Sequence, residues 1–98
     1  MPLVPRPSDV LTVVSDAFGV GVSVLKSRTR SYEVCVARHV AMWLLQMHVN
    51  MTLPGIGAVL GSRHHTTVLH GIRRIEHRQR SDQWFGEMLE QLGNRLFH

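Results

Sequence analysis

Five consecutive residues, Arg63, His64, His65, Thr66 and Thr67, place hydrogen-bonding side chains in an unbroken run. An arginine fork can span the two acceptors of a guanine edge or a phosphate. An imidazole donates or accepts, and a threonine offers a hydroxyl beside a methyl that fits thymine. The chemistry of such a set is recognition of an anion or a base edge. Bond breaking is not indicated, because no Ser, His and Asp cluster has the spacing of a nucleophile with its base and orienting acid. Upstream, Lys26, Arg28 and Arg30 crowd the segment KSRTR, and Arg38 and His39 follow within ten residues. These ten residues form the candidate binding set, and no catalytic residue is assigned.

Charge over the whole chain supports that choice. Residues 26–80 hold nine Lys and Arg against Glu33 and Glu76, a net +7, whereas the two flanks together carry −3, for a total of +4. Eight of the nine central cations are arginine, the side chain suited to bidentate contact with phosphate or guanine. The middle of the chain is therefore a polyanion-binding candidate.

Other chemistries find no support. The seven histidines include no i, i+4 pair on one helical face, and only one cysteine accompanies them, so neither a zinc site nor any other cofactor is expected. Cys35 reads as a small buried hydrophobe and cannot form an internal disulfide. No GxxxxGK loop is present, so no nucleotide partner is expected. No uncharged run approaches the ~20 apolar residues of a membrane span, and MPLVPRPSDV lacks the apolar core of a secretory signal, so a cytoplasmic location is expected.

Positioning the candidate residues requires helices. Residues 1–7 hold three of the four prolines and read as an extended arm, leaving 8–98 as a single domain. Ser8 is expected to cap a helix with Val10, Val13, Val14, Ala17 and Phe18 on one face, stopped by Gly19. A turn around Val24 and Leu25 precedes the basic connector. Ser31 is expected to cap a long helix to about His48. Its inner stripes are Val36, Val40, Trp43 and Met47 beside Val34, Ala37, Ala41, Leu44 and Leu45, with Arg38, His39 and Gln46 as polar outlets. Thr52 with Leu53 and Pro54 opens a short helix ending at Gly61. The next helix begins between His64 and Thr66 and buries Val68, Ile72 and Ile75. A final helix from Ser81 to about Phe97 turns Phe85, Met88, Leu89, Leu92 and Leu96 inward. His70 is expected to be partly buried, Trp84 to be a core or hinge residue, and His98 to be disordered. No strand alternation appears, so the fold class is all-α. A short helix, a glycine turn and a longer helix opening on polar residues make residues 52–77 a helix-turn-helix.

The string LPGIGAVLGSRHHTTVLHGIRRIE, with the preceding RSYEVCVARHVAMWL, closely resembles the C-terminal DNA-binding domain of the bacterial replication initiator DnaA. The family pattern runs approximately RxxxxxxARxxAMYL and then SLPxIGxxFGxRDHTTVLHAxxKI. It can be laid without a gap from Arg30 to Glu76, and more loosely from Ser8 to Asp82. The resemblance implies an all-helical, Trp repressor-like domain whose helix-turn-helix reads the major groove of a nonameric site while a basic loop inserts an arginine into the minor groove. By position, Arg30 matches the minor-groove arginine. Arg63, His65, Thr66 and Thr67 match the major-groove and phosphate contacts, and Arg38 matches a backbone-contacting arginine. Two positions depart from the pattern: His64 replaces an aspartate that accepts from base edges, and Gln46 stands where a basic residue is frequent.

Two functional readings follow. The first is sequence-specific binding of double-stranded DNA at DnaA-box-like sites, as a regulator or accessory factor of replication initiation or transcription. Met1 ahead of a Pro-rich arm fits a free-standing domain, and a nucleoid-associated cytoplasmic location goes with this role. The alternative is a protein-interaction module that keeps the fold and docks a replication or regulatory protein through the acidic end from Trp84 to Leu92. Steep salt dependence distinguishes the first from the second.

Overall fold

In the computed structural model, which describes residues 4–97, proline opens the first helix. Helix α1 (Pro7–Phe18) has Pro7 in its first turn, where the missing N–H has no intrahelical partner to lose. The N-cap is therefore Arg6 and not Ser8, and the expected arm gives up Pro7 to the helix. The backbone N–H of Arg6 donates to Asp9 Oδ2 at 2.8 Å. This bond, then the Arg6 side chain, holds the Asp9 carboxyl below its ordinary pKa. Gly19 ends α1 at φ 66°. Residues 1–3 of the expected arm, and His98, lie outside the described residues.

Helix α2 (Val22–Leu25) is one turn, and α3 (Tyr32–Val49) is the centre of the fold. Every other helix packs on α3, with α1 and α5 (His65–Ser81) its principal neighbours. Both expected stripes of α3 exist, but Met42 between them is fully buried while Met47 is 51% exposed and Val36 half-buried. Contact on several sides displaces the buried arc from the one that a single-sided amphipathic helix would show. Arg38 falls within that arc at 5% exposure, so it is not the polar outlet expected.

Thr52 caps α4 (Leu53–Val59), its Oγ1 accepting from Gly55 N at 3.2 Å. The helix stops at Val59, two residues before the expected Gly61, and the chain turns through Gly61 at φ 84° and Ser62 at φ 62°. Gly57 lets this turn lie directly on α4: its carbonyl accepts from Arg63 N at 2.9 Å, and a Cβ there would collide with the Arg63 carbonyl. Val68, Ile72 and Ile75 of α5 are buried as expected. Ser81 closes α5, and Asp82 caps α6 (Gln83–Arg95), with Oδ1 accepting from Phe85 N at 3.1 Å.

Phe85, Leu89, Leu92 and Leu96 form the inward stripe of the last helix and its C-cap, with Met88 at its half-buried edge. Trp84 lies about 100° around the helix from that stripe and is 82% exposed, not a core or hinge residue. The same phase argument places His70 outside the stripe of Val68, Ile72 and Ile75, where it is exposed. Cys35 is half-buried, on the flank of α3, in place of the buried position expected. No helix among the described residues is long and apolar enough to cross a membrane. Those residues also hold no group of three or more His, Cys, Asp or Glu placed to bind a metal.

Candidate nucleic-acid interface

The basic connector, residues 26–31, runs from α2 to α3 beside the turn that precedes α5, and between them lies a cleft of about 540 Å³. Seven of the ten candidate residues line it: Arg28, Arg30, Arg38, His39, Arg63, His64 and Thr67. Lys26, His65 and Thr66 do not line the cleft but are exposed on the adjoining surface. The fold thus brings together residues as far apart in sequence as Arg28 and Thr67.

Arg38 builds the connector. Its Nε donates to the Leu25 carbonyl at 2.8 Å, and its Nη2 lies 3.1 Å from each of the Ser27 and Thr29 carbonyls. A connector without helix or strand has no ladder partners for its carbonyls, and this buried guanidinium supplies them. Arg63 reaches the same connector from the opposite side. Its Nη2 donates to Ser27 O at 2.6 Å, while its Nη1 donates to Leu60 O at 2.7 Å. Burial, then the positive charges of Arg38 and Arg28, draws the Arg63 pKa below its ordinary value, yet a guanidinium stays charged at any physiological pH. Two of the five N–H groups of this guanidinium are therefore given to backbone carbonyls, which fixes its plane against the connector.

His64 is the N-cap of α5, its Nδ1 accepting from Thr66 N at 3.2 Å with Thr66 Oγ1 at 2.6 Å. The acceptor role at Nδ1 puts the neutral ring's proton on Nε2. The His65 ring lies against it, centroids 4.2 Å apart. His64 therefore meets the requirement that an aspartate meets at an N-cap, an acceptor for a free helix-terminal N–H. His39 is half-buried among cations. Burial, then Arg74, Arg38 and Arg63, lowers its pKa and favours the neutral ring.

His65, Thr66 and Thr67 in the first turn of α5 are exposed, and so are Arg28 and Arg30 on the connector. Neither of these two arginines makes a side-chain hydrogen bond or ion pair among the described residues. The same face of α5 continues through the exposed His70, Arg73, Arg74 and His77. Arg74, His77 and the 72% exposed Tyr32 also line a second, smaller cleft of about 230 Å³ against α3. Arg74 and Tyr32 stand outside the candidate set. Counting seven residues, two helical turns, on from Thr67 would have found Arg74. No sequence spacing connects Tyr32 with it, because they lie on different helices.

A two-helix unit with a glycine turn, the second helix presenting exposed polar side chains beside a basic loop, defines a helix-turn-helix protein. Residues 7–75 match the family described as the bacterial dnaA protein helix-turn-helix, and the chain belongs to that family. Among its relatives, the chromosomal replication initiator protein DnaA of Trichormus variabilis is 37% identical over 90 residues, which cover 92% of this chain and 20% of that protein. DnaA of a Nostoc species is 36% identical, and DnaA of Nostoc punctiforme 34%, each over 90 residues and with the same coverage. The chain spans about one fifth of the length of these curated relatives.

Proposed function

We propose that the chain binds double-stranded DNA, with the N-terminal turn of α5 in the major groove and Arg30 of the connector in the adjacent minor groove. The observation that carries this reading is the exposure, on one side of the fold, of His65, Thr66 and Thr67 next to Arg28 and Arg30. These groups are not consumed by packing, whereas Arg38 and Arg63 are occupied in holding the backbone beneath them. Base edges fall to the first turn of α5, phosphates to Lys26, Arg28, Arg73 and Arg74, and groove width to Arg30. Its role is occupancy of DnaA-box-like sites in the nucleoid, as a regulator or accessory factor of replication initiation or transcription. Titration of a labelled duplex selected by the protein against a scrambled duplex of equal length tests it. A preference of about 1,000-fold or more is expected, and equal affinities would overturn it.

A second reading, docking of a protein through the acidic end of the chain, is favoured by the 82% exposure of Trp84 beside Asp82 and Glu87. Trp84→Ala distinguishes the two: it leaves duplex binding intact if DNA is the only partner and weakens a protein complex if docking is the function.

A further inference from the structure

We infer that Arg63 is a positioning residue that sets the spacing between the two DNA-reading elements, acting as a ruler and not as a base reader. The inference rests on the DNA-binding reading above. Its basis is a single shared atom: the Ser27 carbonyl accepts from Arg38 Nη2 at 3.1 Å and from Arg63 Nη2 at 2.6 Å. Arg38 belongs to the central helix, and Arg63 belongs to the turn that launches α5. The connector is thus held between the core and the recognition helix.

Arg63 is itself fixed at three points. Its backbone N–H donates to Gly57 O at 2.9 Å, its Nη1 to Leu60 O at 2.7 Å, and its Nη2 to Ser27 O. Gly61 brings the two segments closer still, because a Cβ at that position would collide with the Lys26 carbonyl and press on Arg63 Nη1 at 3.1 Å. Side-chain bonds and direct backbone approach therefore fix the same junction. An exposed connector with no secondary structure would otherwise sample many conformations, at an entropic cost on binding. Fixed as it is, the connector carries Arg30 at one set position relative to His65, Thr66 and Thr67. DNA is periodic along its axis, so a fixed separation on the protein selects a fixed number of base pairs between the step read in the minor groove and the core read in the major groove.

Arg63→Lys tests this without removing the charge. An ammonium on a flexible stem cannot bridge the Leu60 and Ser27 carbonyls as a planar fork does. Duplexes selected by the wild-type chain are resynthesised with one base pair inserted or deleted between the minor-groove step and the core. Wild type is expected to reject the shifted duplexes about 10- to 100-fold, the range of a mismatched base pair. In Arg63→Lys that ratio is expected to fall below about threefold, while the dependence of log K on log salt keeps its slope because no charge is lost. Circular dichroism confirms the fold, and Arg63→Gln serves as the second variant should the lysine perturb it. Amide hydrogen exchange without DNA gives an independent readout: the amides of Ser27 and Thr29, which donate to Val24 O and to the Ser27 hydroxyl, should exchange faster in both variants while α3 and α5 keep their protection.

Unchanged discrimination against shifted duplexes, or unchanged exchange in the connector, overturns the ruler. A loss of all sequence preference at unshifted sites also overturns it, and returns Arg63 to the base readers. Failure of the wild-type chain to select any sequence instead overturns the DNA-binding reading itself, and the exchange experiment still reports on the junction.

Discussion

The backbone N–H and the hydroxyl of Thr66 both lie within hydrogen-bond reach of the His64 ring, which makes His64 a helix cap before it is anything else. His64→Ala should cost about 1 kcal/mol, the usual loss of an N-cap, and His64→Asp should stay within about 0.5 kcal/mol of wild type. Urea unfolding of the three proteins measures it, and an alanine variant as stable as wild type would remove the cap from the account. His39 acts on stability through its proton. Its pKa is lowered in the folded chain by burial and by Arg74, Arg38 and Arg63, from an ordinary value of 6.5. Below that value the unfolded chain takes up a proton that the folded chain resists, so stability falls as pH drops through 6.5 and is unaffected by His39 well above it. His39→Gln should flatten part of the loss between pH 7.5 and 5.5, and an identical loss in both proteins would contradict it.

At the scale of elements, the critical joint is the turn between α4 and α5. Gly61 has φ 84° and faces the Lys26 carbonyl, so any side chain adds both conformational strain and steric overlap. Gly61→Ala should destabilise the fold by about 2 kcal/mol or more, well above a surface substitution. The comparison is Gly86→Ala on α6, where the nearest atom to an added Cβ is 3.4 Å away and φ is helical. Thermal melts should separate the two variants, and equal melting temperatures would show that the joint tolerates a side chain. The short α4 depends on this joint, since Gly55 and Gly57 give it little intrinsic helicity. Burial of Ile56 and Leu60 and the Thr52 cap hold it instead.

Across the whole molecule the charges are divided. The basic connector and α5 sit together, while Asp82, Glu87 and Glu90 lie on or beside the last helix. Such a division orients a polyanion toward one face. Four phosphate contacts by Lys26, Arg28, Arg73 and Arg74 would give log K a slope of about −3.6 against log salt, a loss of about two orders of magnitude between 50 and 200 mM. Anisotropy titrations over that range measure the slope, and a value shallower than about −1 would remove phosphate contact as the source of affinity. Stability should change little over the same range. The Arg95–Asp16 pair that links the last helix to the first is largely exposed and contributes at most about 1 kcal/mol before screening.

Local rules decided much of this molecule before any tertiary contact formed. Thr52 and Pro54 mark the start of α4, and the spacing of Val68, Ile72 and Ile75 gives the buried face of α5, because caps and helical periodicity act within a few residues; Ser31 takes the N-cap position of α3 but its side chain makes no cap bond. The RHHTT run and the concentration of arginine between residues 26 and 80 announced the candidate site in the same way. The roles within that site were decided elsewhere. Arg38, Arg63 and Ser27 are separated by 11 to 36 positions, and no periodicity shows that two guanidinium groups share one carbonyl. The buried arc of α3 that takes in Arg38 and releases Met47 depends on which helices surround it, as does the outward turn of Trp84. Sequence spacing reports which residues share a face of one element; only packing decides which faces meet, and therefore which arginines stay exposed and which donate to the backbone.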